Sequence, residues 1–113
     1  MEDESVIWKK IIAHVEENFN KKPDMNAILF LIGIRELGQL PQDNYKKSEK
    51  VDLMHIAICK VLSYSGHYQL IGADIDGWPH WELLKPLPQF DVFEQESYIR
   101  THIIEYFITE EIL

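Results

Sequence analysis

The chain has 113 residues, 46% apolar and 27% charged, a composition that fits one compact domain over 1–113 and excludes disordered, repetitive or collagen-like classes. Nineteen acidic against eleven basic side chains give a net charge of −8, which disfavours nucleic acid and anionic membrane surfaces, since both are bound through Lys and Arg. One cysteine, Cys59, permits no intrachain disulfide; with no apolar run of spanning length and no secretory segment behind Met1-Glu2-Asp3-Glu4, the expected setting is the cytoplasm.

From Glu4 to Phe19, the residues Ile7, Trp8, Ile11, Ile12, Val15 and Phe19 recur at helical spacing while Lys9, Lys10, Glu16 and Glu17 lie opposite, which predicts an amphipathic helix. His14 borders its apolar stripe, and Asn20 to Pro23 breaks it. Asp24 is placed as the N-cap of a second helix that runs through Ala27–Ile34 to Leu37 and ends at Gly38. Its interior is apolar on every side, so it is expected to be the central, buried helix. A buried strand competes for this run, but the bracketing cap signals favour helix.

Residues 39–44 read as a loop containing Pro41, and a third helix is expected from Tyr45 or Ser48 to Ser65, stopped by Gly66. Leu53, Met54, Ala57, Ile58, Val61 and Leu62 form its stripe. On another side Asp52, His55 and Cys59 fall close together by the 3.6-residue period.

The densest polar and aromatic cluster follows, Gly72-Ala-Asp-Ile-Asp-Gly-Trp-Pro-His-Trp81. Tyr68, Leu70 and Ile71 carry β-propensity, Asp76-Gly77 is a short hairpin signal, and Trp78 to Leu84 restarts the apolar run. Pro79 lacks a ladder donor, so the second strand lies at an edge or starts there. Alternation along that strand would turn Trp78 and His80 one way and Trp81 the other. A structural hairpin, its turn supported by Asp76 and its indoles capping the core, is the plain reading.

After the stiff connector Lys85-Pro-Leu-Pro88, Asp91 and Glu94 make a capping-box start to a last helix reaching about Glu110. That helix shows one apolar stripe of Val92, Ile99, Ile103, Tyr106 and Phe107 and a second of Ile104, Ile108 and Ile112. A domain of this size rarely buries both, so the second stripe is the candidate interface with another subunit or partner.

Most common catalytic signatures are absent: there is no G-x-S-x-G elbow, H-E-x-x-H, phosphate-binding G-x-x-x-x-G-K-[ST] loop, G-x-G-x-x-G or paired-cysteine zinc spacing. Asp74, Asp76, Trp78, His80 and Trp81, with His55, form the candidate binding patch, aromatic at its centre and polar at its rim. The residues a divalent metal would use, if it binds, are His55, His67, Asp74, Asp76 and His80. Asp74-Ile-Asp76-Gly77 fails the calcium-loop pattern, because the glycine directly follows the second aspartate and no glutamate stands at the required offset. Cys59 with His55 is a thiol–imidazole pair by helical adjacency only, and a lone helical cysteine is usually a small buried hydrophobe.

The strings Asp52-Leu-Met-His-Ile-Ala-Ile-Cys59 and Asp76-Gly-Trp-Pro-His-Trp81, then Leu87-Pro88, resemble an uncharacterised family of small bacterial proteins. The similarity covers most of the chain, from Ala27–Gly33 through the last helix. It implies a bacterial cytoplasmic origin and no particular activity.

The expectation is therefore a mainly α fold of about four helices with one short β-hairpin between the third and fourth. Its expected role is non-catalytic: a cytoplasmic protein-interaction or self-association module, a homo-oligomer being plausible, without a cofactor and without nucleic-acid or membrane partners. The alternative is a small-molecule or divalent-metal binding protein, an enzyme being one form of it, whose site lies between the third helix and the hairpin.

Overall fold

The computed structural model describes residues 3–19, 22–38 and 45–113. Its elements in chain order are α1 (Glu4–Phe19), α2 (Met25–Leu37), α3 (Lys47–Ser63), β1 (Tyr68–Ala73), β2 (Pro79–Leu83) and α4 (Val92–Thr109). Four helices with an antiparallel hairpin between the third and fourth make the protein mainly α. The expected loop over 39–44 lies outside the described residues.

Local chemistry explains the helix ends. Asp24 stays extended and its carboxylate accepts the Ala27 N–H at 2.8 Å, meeting one of the donors that the first turn of α2 leaves orphaned. Gly38 closes the same helix at φ 76°, a left-handed conformation glycine adopts without a Cβ clash. Asp91 and Glu94 cap each other reciprocally at the start of α4. The third helix begins at Lys47, between the two starts considered, and ends at Ser63, two residues early, because Gly66 at φ 80° belongs to the turn that follows.

The core collects one face from each helix: Ile11 and Val15 of α1, Ile28, Leu29 and Ile32 of α2, Ala57, Val61 and Leu62 of α3, and Ile99, Ile103, Ile104, Tyr106 and Phe107 of α4. Each fully buried aliphatic side chain contributes about 1.5–3 kcal/mol relative to exposure. The α3 helix touches α2, α4 and both strands, while α1 packs on α4. Gly33 lets α2 and α3 approach until their backbones nearly meet: a Cβ there would overlap the Leu53 carbonyl.

Two expectations about α4 change. Ile104 is buried in this chain's own core and Ile112 packs against it, so the second stripe is not a free face; only Ile108 stands largely exposed. Val92, expected in the buried stripe, is exposed with Phe93, because the first turn of α4 precedes the point where the helix reaches the core. Among the described residues, no helix is long and apolar enough to cross a membrane.

Candidate functional site

Pairing in the hairpin decides which side chains share a face. Tyr68 opposes Leu83, Leu70 opposes Trp81 and Ala73 opposes Pro79, whereas Gln69 opposes Glu82 and Gly72 opposes His80. Directly opposed residues project on one side of a sheet, so the first set makes an apolar face and the second a polar one. A bulge between Leu70 and Gly72 leaves Ile71 unpaired and keeps this order despite the extra residue. The apolar face leans toward α3, where the Tyr68 ring meets His55 edge-on, 6.4 Å between centroids.

The connection is not the two-residue turn that Asp76-Gly77 suggests. It is a five-residue loop, Asp74 to Trp78, closed by the Asp74 N–H donating to the Trp78 carbonyl at 2.9 Å. Asp74 organises it: one carboxylate oxygen accepts the Asp76 and Trp78 N–H groups, each at 2.9 Å, and the other accepts His80 Nε2–H at 3.1 Å. These bonds, the Trp78 backbone first, hold the Asp74 carboxyl below its ordinary range. Gly77, at φ 85° and bonded to the Asp74 carbonyl, absorbs the left-handed turn.

Between this hairpin and α3 lies an open cleft of about 360 Å³, lined by Asp52, His55 and Ile56 of α3 and by Asp74, Trp78, Pro79, His80 and Trp81. Both indoles border it, contrary to the expected alternation. Trp78 precedes the strand, so the loop and not the strand pleat sets its direction. The Trp81 indole N–H is buried and finds no acceptor among the described residues. Such an unmet donor costs about 1–3 kcal/mol.

The structure brings together five of the six candidate patch residues: His55, Asp74, Trp78, His80 and Trp81. Asp76 does not line the cleft, and the turn-supporting role expected of Asp76 falls instead to Asp74. The five-residue metal set is not assembled. His67 sits in the core, its Nδ1–H donating to the Lys85 carbonyl at 2.9 Å and its Nε2 accepting the Tyr98 hydroxyl at 2.7 Å. Among the described residues, no three His, Cys, Asp or Glu side chains gather in a way that could hold a metal ion.

Cys59 and His55 do meet, Sγ to Nε2 at 3.5 Å, but the thiol is buried and burial pushes it up to about 11. A nucleophile needs the thiolate, so the pair is inert packing at neutral pH.

Sequence reading left Asp52, Ile56 and Pro79 out of the site. Asp52 was visible as the helical neighbour of His55, whereas the cleft-lining positions of Ile56 and Pro79 depend on how the hairpin leans. A buried histidine with a half-buried partner also escaped it: Ser65 Oγ–H donates to His102 Nε2 at 2.6 Å, while His102 Nδ1–H donates to the Tyr98 carbonyl. Both imidazole nitrogens are thereby satisfied inside the core, as burial requires.

Comparison with protein-family models, with curated proteins and with solved structures finds no match to this chain. The case for a function rests on the geometry.

Proposed function

We propose that this protein is a non-catalytic self-association module in the cytoplasm, working without a cofactor, with the hairpin as its contact element. One observation carries the reading. Leu70 and Leu83 on the apolar face are 51% and 53% exposed, and Ile71 and Leu84 next to them in the chain and Ile75 in the connecting loop are exposed as well. A two-stranded sheet has an unpaired edge on each strand, and apolar side chains next to open edges favour pairing with another strand. The acidic composition argues for a protein partner over nucleic acid, and the family resemblance belongs to the same proposal without adding an activity.

Sedimentation equilibrium over a wide concentration range tests this. The expected result is a mass above that of one chain, which returns to monomer in Ile71→Glu and Leu83→Glu with the helical circular dichroism unchanged. A wild-type monomer at the highest concentration overturns it. Ile104→Glu is unsuitable as a probe, because that side chain is buried in the core.

A second reading is favoured by the cleft beside α3: a binding site for a small group, walled by two indoles and edged by carboxylates and imidazoles. The exposed Leu70, Ile71 and Leu83 of the first reading do not line the cleft, so both readings are testable with separate variants.

A further inference from the structure

We infer that the cleft between α3 and the hairpin recognises an organic cation, a guanidinium or alkylammonium group, seated against Trp78 and Trp81 and faced by Asp52 and Asp74. The inference rests on the second reading above, that this cleft is a binding site, and names its ligand class. The wall composition carries it. Of eight lining residues, two are tryptophans, two are aspartates and none is lysine or arginine. The face of an indole is the strongest side-chain partner for a cation, and a nearby carboxylate supplies the opposite charge. An anionic ligand would meet two carboxylates with no fixed positive charge to offset them.

The Asp74 carboxylate is held in place by two backbone N–H groups and His80, so it need not reorganise to receive a charge. A divalent metal is a poorer occupant, since the required third donor does not converge among the described residues.

Tryptophan fluorescence titration of the full chain tests this, with three probes: methylguanidinium, a blocked tripeptide carrying one central arginine, and the same tripeptide carrying citrulline. Both cations are expected to shift the emission saturably, and the citrulline peptide to bind at least about fivefold more weakly than the arginine peptide. Asp52→Asn and Trp78→Leu are expected to weaken cation binding by a similar factor, and Asp76→Asn, which lies off the cleft, to leave it unchanged. Thermal unfolding of each variant confirms its fold.

Tighter binding of the arginine peptide than of methylguanidinium assigns the cation to a peptide, and equal binding assigns it to a free small molecule. Equal binding of the arginine and citrulline peptides, if lost in Trp78→Leu, keeps the binding site and overturns the cation. A response to divalent metals alone does the same. No saturable response to any probe in the folded protein overturns the cation inference; if a broader set of anionic and neutral metabolites also produces none, the binding-site reading falls with it.

Discussion

The Tyr106 hydroxyl donates to Glu36 Oε2 at 2.7 Å, fastening the middle of α4's last turns to the C-terminal end of α2. The same oxygen accepts from Arg35 at 2.8 Å, and Arg35 also reaches Glu110 at 3.1 Å. The ring is fully buried, so the hydroxyl depends on these partners, and burial followed by the Glu36 bond raises its pKa well above the ordinary tyrosine value.

Tyr106→Phe keeps the ring and removes the link. Hydrogen bonds to charged groups contribute about 1.5–3 kcal/mol, so the variant is expected to unfold roughly 6–12 °C lower, read by circular dichroism melting. An unchanged midpoint would show that Arg35 and Lys60 satisfy Glu36 without it.

Gly33→Ala adds one methyl group where α2 crosses α3. Because the obstacle is the Leu53 backbone and not a flexible side chain, the helices must separate. A loss of about 3 kcal/mol or more is expected in urea unfolding, against about 1 kcal/mol gained from helix propensity. Stabilisation by this substitution would mean that the helices do not cross this closely.

Cys59 is expected to resist modification. With the thiol pushed up to about 11 and buried, only about one part in a thousand is thiolate at pH 8. Labelling by an aromatic disulfide reagent should therefore follow the rate of unfolding in urea, and rapid labelling of the native protein would contradict the burial. The sign of the linkage is set by the raised value: the contribution of the neutral thiol is complete below the unfolded cysteine range and is lost as pH rises toward 11.

Asp74 gives the opposite pH signature. Its folded pKa is lowered, first by the Trp78 backbone and then by His80, so its contribution to stability is present above the unfolded value of about 3.9 and is lost as pH falls through the folded one. The stability difference between wild type and Asp74→Ala should shrink below about pH 4. A carbon-detected NMR titration of Asp74 should place its midpoint below the ordinary aspartate value of about 3.9. A difference in stability that persists unchanged into acid would exclude the ionised carboxylate as the hub of the turn.

Helix ends were legible because their chemistry is local. Asp24 reaches Ala27, Asp91 reaches Glu94 and Gly38 turns the chain, all within three residues of the end they mark, so a short string specifies each geometry. The stripes of α1 and α3 follow equally from period alone. The hairpin itself was legible too, and Pro79 marks the first residue of its second strand.

Which face meets what was a tertiary decision. Two residues on one helix see different surroundings only after the crossing angles are set, and so Ile104 enters the core while Val92 and Phe93 remain outside. His67 and His80 are both histidines of the hairpin region, yet one is sealed between Lys85 and Tyr98 and the other bonds Asp74 in solvent. Period and caps determined the elements of this protein; the cleft exists because the hairpin leans on α3, and that lean depends on contacts between residues distant in the chain, such as His55 and Tyr68.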